Sequence, residues 1–292
     1  MLKVIEKTKL WFTLSTIVII IGLGFTIFRG LNIGIDFKGG TKVVVELGEA
    51  FDKEKADEIT KAIVPDAITN QFDESQYEIK AADFDSAKVD EVFEKLKLEF
   101  NLEDTDLVSQ NEVGASVGKD LTKNSLLAIF VACVAMLIYI AIRFEFNYGI
   151  AAILALVHDV LFTISVFAVF NVPVNTAFIA AILTIIGYSI NDTIVIFDRI
   201  RENRLKNRRE PLAEVADKSI NQTLSRSINT TLTTLITIIA LNFLVPTVRE
   251  FTFPLILGIG VGAYSSIFMA SPILVILEEK RANKNKAKVA WF

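Results

Sequence analysis

GYSINDTIVIFDRIREN, residues 187–203, places Asp192 inside an apolar helical run that closes on a basic cluster. From 174 to 197 the only ionisable side chains are Tyr188 and Asp192. A carboxylate at the centre of a membrane helix costs roughly 2.5 to 3.5 kcal/mol on insertion scales, so it faces a cavity or a partner and commonly marks an ion pathway. The plainer alternative is a structural Asp satisfied by its Asn, Thr and Tyr neighbours. Either way the stretch reads as a membrane helix, in a protein that transports something or couples to something.

Composition extends that reading to the whole chain. With 52% hydrophobic residues over 292 positions and a mean hydropathy of +0.48, it is too apolar for an ordinary soluble domain of this size. Six runs, 10–28, 125–142, 149–170, 174–197, 227–245 and 251–277, are long enough to cross a hydrocarbon core of about 30 Å as helices. The first is long for a signal peptide and lacks a small-residue cleavage site, so it is read as a retained anchor. Cys133, the only cysteine, lies in the second run and leaves no intrachain disulfide to form.

Lys and Arg set the expected orientation. Lys3, Lys7 and Lys9 precede the first run, and Arg143 follows the second. Arg199, Arg201, Arg204, Lys206, Arg208 and Arg209 follow the fourth, and Lys280, Arg281, Lys284, Lys286 and Lys288 close the chain. The short opposite loops, 171–173 and 246–250, hold only Arg249. The positive-inside rule therefore puts both termini in the cytoplasm. The expected organisation is a cytoplasmic N-terminus and first helix at 1–30, an extracytoplasmic domain at 31–124, five further helices at 125–277 with a basic cytoplasmic loop at 198–226, and a cytoplasmic tail at 278–292.

The external segment holds 22 acidic against 11 basic residues, net −11, which leaves +7 for the rest of a chain whose formal charge is −4. Long external loops translocate regardless of charge. An acidic surface disfavours nucleic acid and anionic lipid as partners, and the plain reading is that the charge keeps a small domain soluble. TKVVVEL at 41–47 is β-rich, 52–63 fits a helix opened by Asp52, and AITNQF and YEIKAA flank a turn at DESQ, 73–76. Asp85 caps a helix at 86–100 whose Val89, Phe93, Leu96 and Phe100 share a face, and a last strand falls near 106–112. That β-α-β-β-α-β order predicts a ferredoxin-like α+β sandwich between helices 1 and 2 of an α-helical polytopic membrane protein. The segment has no His, no Cys and no Gly-rich loop opening a helix, so it is expected to contact a partner or substrate rather than to catalyse.

The polar residues of the helices carry the candidate chemistry. Thr184, Tyr188, Asn191 and Asp192 share one face of the fourth run, and Arg226, Thr230, Thr233, Thr234 and Thr237 form a stripe on the fifth. Facing stripes would join a carboxylate, a guanidinium and hydroxyls in one seam able to relay protons or cations. The Thr ladder is read more plainly as hydroxyls bonding back to helix carbonyls. Asp192 and Arg226 are read as ion-handling groups. In the third run His158, the only histidine, precedes Asp159, a candidate pathway or packing residue; consecutive helical residues point about 100° apart, so both need not line one path. No ligand set for a metal accompanies them, and no cofactor is expected. Gly258, Gly262, Ser266 and Ala270, each four apart, form a small-residue stripe suited to close helix packing. No GxxxxGK[ST] occurs, which disfavours an ATPase and leaves no sign of an enzyme.

Taken together, the motifs GIDFKGGT at 34–41, VGASVGKDL at 113–121, HD in the third run, GYSINDTIVIFDRIREN, NQTLSRSINTTLTTLITI at 221–238 and GVGAYSSIFMASP at 260–272 resemble the SecF type of the SecD/SecF family, in the resistance–nodulation–division superfamily. Ala115 and Ala263 depart from the family's Pro and Thr at those places. The resemblance implies a subunit that pairs with a SecD-like half and assists the SecYEG translocon in moving exported polypeptides, driven by protons or sodium ions. By motif position it implies Asp192 as the titrating carboxylate, Arg226 as the residue modulating it, with Asn191 and Asp159 nearby, and Gly34, Asp36, Gly39 and Gly40 as the connector or hinge into the external domain. Two rival classes remain: half of another transporter of that superfamily, and an assembly subunit that conducts nothing.

Overall fold

A computed structural model describes residues 2–48, 51–72 and 75–289. Asp73 and Glu74 of the expected turn, and residues 290–292 of the tail, lie outside the described residues. Among the described residues, six helices are long and apolar enough to cross a membrane. They are α1 (Thr8–Arg29), α5 (Ala115–Arg143), α6 (Phe146–Phe170), α7 (Thr176–Lys206), α8 (Leu212–Leu244), and the pair α9 (Arg249–Ser265) and α10 (Ser271–Val289) joined through a π turn at Ser266–Ala270.

Between α1 and α5 lie a single helical turn, α2 (Ile35–Lys38), then β1 (Gly40–Glu46), α3 (Lys53–Ile63), β2 (Ile68–Phe72), β3 (Gln76–Ala81), α4 (Ser86–Phe100) and β4 (Leu107–Val113). The four strands form one antiparallel sheet in the order β2-β3-β1-β4, the ferredoxin-like arrangement expected from the pattern. Both helices are capped as the sequence signals: Asp52 accepts from the Glu54 and Lys55 amides, and Asp85 from Lys88. Tyr77, Ile79, Val43, Val45, Val89 and Leu96 alternate or recur toward one side and make the domain's core against α3 and α4.

Two organisational expectations change. The segment 198–226 is not a loop: α7 and α8 run through it and leave only 207–211 as the turn. Hydropathy marks where lipid ends, whereas a helix continues into water while its backbone bonds are satisfied. For the same reason α5 starts at Ala115, ten residues before its apolar run.

The connector GIDFKGGT is fastened rather than loose. The Gly34 amide donates to the Val174 carbonyl at 2.8 Å, and Asp36 Oδ2 accepts from the Thr176 amide at 2.9 Å and its hydroxyl at 2.5 Å, holding the start of α7. Gly34 has an ordinary φ of −66°; its lack of a side chain serves closeness, since a Cβ there would lie 3.1 Å from the Val174 carbonyl oxygen. Gly39 and Gly40 do need unusual backbone, with φ of 83° and 140°.

The α+β domain sits on the membrane helices by its sheet face. Lys42 pairs with Glu78, Glu78 lies 2.9 Å from Lys80, and Lys80 pairs with Glu250 at the start of α9. Glu78 is fully buried and Lys80 nearly so. Burial pushes the Glu78 carboxyl up, but Lys80 and Lys42 outweigh it and hold the group below its ordinary range. Burial pushes Lys80 down, but Glu78 and Glu250 hold it above its own. A depressed carboxyl contributes stability that is complete above its unfolded pKa of about 4.3 and is lost as pH falls through the folded value; a raised amine contributes stability complete below about 10.4 and lost as pH rises. Hydrogen exchange at the β3 amides is therefore expected to be slow and level, after correction for intrinsic rates, from about pH 5 to 10. Protection should fall on further acidification, and unchanged protection at pH 3 would show that these charges do not hold the sheet.

Candidate functional site

The membrane helices bury two apolar cores, separated by a polar layer. Toward the α+β domain Phe167, Phe178, Ile182, Ile185 and Ile259 pack together; toward the basic side Phe144, Tyr148, Phe197, Ile200 and Leu274 do. Between them lie Asp159, Ser189, Thr193 and Ser266, each at most 1% exposed. Ser189 donates to Asp159 Oδ2 at 2.5 Å, and His158 Nδ1 lies 3.0 Å from Asp159 Oδ1, so the adjacent pair does share one site. Thr193 and Ser266 hydroxyls are 2.8 Å apart.

The small-residue stripe makes this layer possible. A Cβ on Gly258 would fall 2.1 Å from Ile185 Cδ1, and one on Gly262 would fall 3.0 Å from Ser189 Cβ. The stripe thus packs α9 against α7 within this chain. Its regular spacing breaks at the π turn, where the Ser271 hydroxyl donates to the Ser266 carbonyl five residues back. Such turns mark helices that carry a local functional demand.

Asp192 lies on another side of α7, 9% exposed, facing α8. The Ser227 hydroxyl donates to its Oδ1 at 2.7 Å, while Oδ2 is buried with no hydrogen-bond partner among the described residues. One turn further along α8 the buried Thr231 hydroxyl also lacks one. Tyr188 donates to Thr234 at 3.3 Å. A buried carboxylate with a single donor is incompletely satisfied, and that is the condition under which taking up a proton or a cation becomes favourable.

The expected facing of the two stripes is corrected by one residue. On α8 it is Ser227, Thr231 and Thr234 that turn toward α7, whereas Arg226, Thr230, Thr233 and Thr237 are exposed. Thr230, Thr233 and Thr237 bond back to carbonyls four residues earlier. Arg226 forms no ion pair with Asp192 in this conformation, being on the neighbouring flank. Asn191 and Thr184 are exposed too, on α7. Ser227 was missed because its hydroxyl carries no charge to draw notice; its place one residue beyond Arg226, 100° around the helix, was the available signal. Among the described residues no three His, Cys, Asp or Glu side chains are grouped to hold a metal ion.

Six long apolar helices, carboxylates buried within their bundle and an α+β domain inserted after the first define a polytopic membrane protein of the transporter class. Residues 93–280 match the family described as protein export membrane protein SecD/SecF, C-terminal, and residues 24–50 match the SecD/SecF GG motif. The chain belongs to the SecD/SecF family of protein-export membrane proteins. The protein translocase subunit SecF of Sebaldella termitidis is 40% identical over 98% of this chain and 97% of its own length, and that of Calditerrivibrio nitroreducens 37% over 94% and 93%. The crystal structure of a Thermus SecDF, a translocon-associated membrane protein, aligns with a TM-score of 0.83 and 33% identity over 94% of this chain. This chain spans 38% of that longer polypeptide.

Proposed function

We propose that this chain is the SecF-like half of an accessory complex that assists polypeptide export through the SecYEG translocon, driven by the proton or sodium gradient. It sits in the cell inner membrane with both termini cytoplasmic and the α+β domain on the outer side. A SecD-like subunit supplies the other six-helix half. The observation that carries this reading is the open polar flank around Asp192: Asn191 and Arg226 lie exposed on membrane-spanning helices. Polar groups at that depth need a protein or water-lined neighbour, because lipid cannot hydrogen-bond to them.

In this reading Asp192 takes up and releases the coupling ion. Arg226, on the flank a partner would cover, sets how readily it does so, and Asn191 lines the same flank. Asp159 belongs to the polar layer on the far side of α7, where a change at Ser189 would be felt by α9. The α+β domain handles the exported chain.

Membrane vesicles carrying this chain and its SecD-like partner test the reading. The gradient should accelerate completion of precursor export, and collapsing it should remove that acceleration. Removing this chain should have the same effect as collapsing the gradient. Export that responds equally to the gradient with and without the chain would overturn the proposal.

A further inference from the structure

The ion network under the α+β domain continues into the helix that bears Asp192. Glu250 Oε1 pairs with Lys80 of β3, and its Oε2 accepts from Asn175 Nδ2 at 2.5 Å. Asn175 in turn caps α7, its Oδ1 accepting from the Phe178 amide at 2.9 Å. Glu250 also opens α9, whose Gly258 and Gly262 lie against Ile185 and Ser189 of α7. One carboxylate therefore touches the external sheet, the N-terminus of α7 and the helix packed along α7. Asp192 lies sixteen residues along that same helix from Thr176, about 24 Å at helical rise.

We propose that the Lys80–Glu250 pair is a separable joint, closed when the α+β domain is docked and parted when it leaves, through which the domain's position and the α7–α9 pair bias one another. Three features favour a joint over permanent glue. The contact is ionic, with Lys80 covered and Glu250 partly open to solvent, and the attraction gained is largely offset by the hydration the two ions lose, so parting it into water exchanges one favourable state for another. An apolar seam of the same size has no such compensation. A cleft of about 400 Å³ flanks the pair, lined by Asn70, Phe167, Pro173, Arg249 and Phe253, and gives water a place to enter. The pair also alternates in sign with Lys42 and Glu78, so when Glu250 departs, Lys80 keeps Glu78 as a partner and no charge is stranded inside the domain.

Distance measurement on the full chain, with its partner half in lipid nanodiscs, tests the joint. Spin labels go on Leu98→Cys, exposed on α4, and Phe243→Cys, exposed at the domain end of α8, in a Cys133→Ser background. Glu250→Gln, which leaves the sheet untouched, should broaden the distribution and add a longer component. Glu250→Lys should do so more strongly, because it sets a like charge against Lys80. Lys88→Gln, which breaks an exposed pair within the domain, should change nothing. The coupling arm adds Asp192→Asn: it should shift the distribution when the joint is intact and lose that effect in Glu250→Gln. An unaltered distribution in Glu250→Gln, or an Asp192→Asn shift that is the same with and without the joint, overturns the proposal. The inference rests on the ion-coupling reading of Asp192 only in this second arm. Distances are read and not export, so a failure here leaves the export reading standing.

Discussion

Asp192→Asn is expected to abolish the gradient-dependent part of export while the chain still inserts, folds and copurifies with its partner half. The substitution is nearly isosteric, and an Asn Oδ1 can accept from the Ser227 hydroxyl as the carboxylate does at 2.7 Å. What it removes is the charge and the ability to exchange a proton or bind a cation. A structural carboxylate would tolerate that, because its hydrogen bond persists and a desolvation cost is relieved. An ion-coupling carboxylate would not, and export should fall to the rate seen without a gradient. Ser227→Ala should have a smaller effect, since it removes one hydrogen bond, typically about 1 kcal/mol, and leaves titration possible. Arg226→Ala should shift the pH or ion dependence, acting through the open flank. Combined with Asp192→Asn it should add nothing further, because members of one functional unit are non-additive. Full gradient-dependent export in Asp192→Asn would leave Asp192 a structural residue with no part in ion coupling.

Gly40→Ala is expected to be the most destabilising single-methyl change in the connector. At φ 140° an L side chain is strained, which costs of the order of 1 to 3 kcal/mol. The new Cβ would also lie 2.4 Å from the Ala81 carbonyl oxygen and 2.8 Å from Ala82 Cα, both backbone atoms of the paired strand's end. Overpacking of that kind adds roughly 1 to 3 kcal/mol. Together these approach the whole stability of a small domain, about 5 kcal/mol at the low end. The α+β domain should lose its register at β1–β3 and become sensitive to protease at its surface loops. Gly24→Ala, which meets nothing within 4 Å inside a helix, is the matched control and should be neutral or slightly stabilising. Equal protease resistance in the two variants would show that the tight corner at Gly40 can relax freely, as a hinge does.

The six membrane helices and the ferredoxin-like domain were legible before any folding, because both follow from local periodicity. Apolar runs long enough for a bilayer stand out whatever surrounds them. The alternation in TKVVVEL and YEIKAA, the stripe at Val89, Phe93 and Leu96, and the caps at Asp52 and Asp85 each act within a few residues. The sequence also singled out Asp192, since one charge in an apolar run is conspicuous without any partner.

What each polar group meets depends on how the helices pack. A helical stripe defines a face, but not the rotation of the neighbouring helix, and a turn of one residue put Ser227 rather than Arg226 against Asp192. The pairing of Asp159 with Ser189 and of Lys80 with Glu250 joins residues 30 and 170 positions apart. Asp36 likewise reads as the start of a turn, yet its oxygen holds the first residue of α7, 140 positions away. Such contacts depend on how helices cross and how deep each sits, and those are set by the summed packing of glycines, isoleucines and phenylalanines across the whole bundle, which no local pattern encodes.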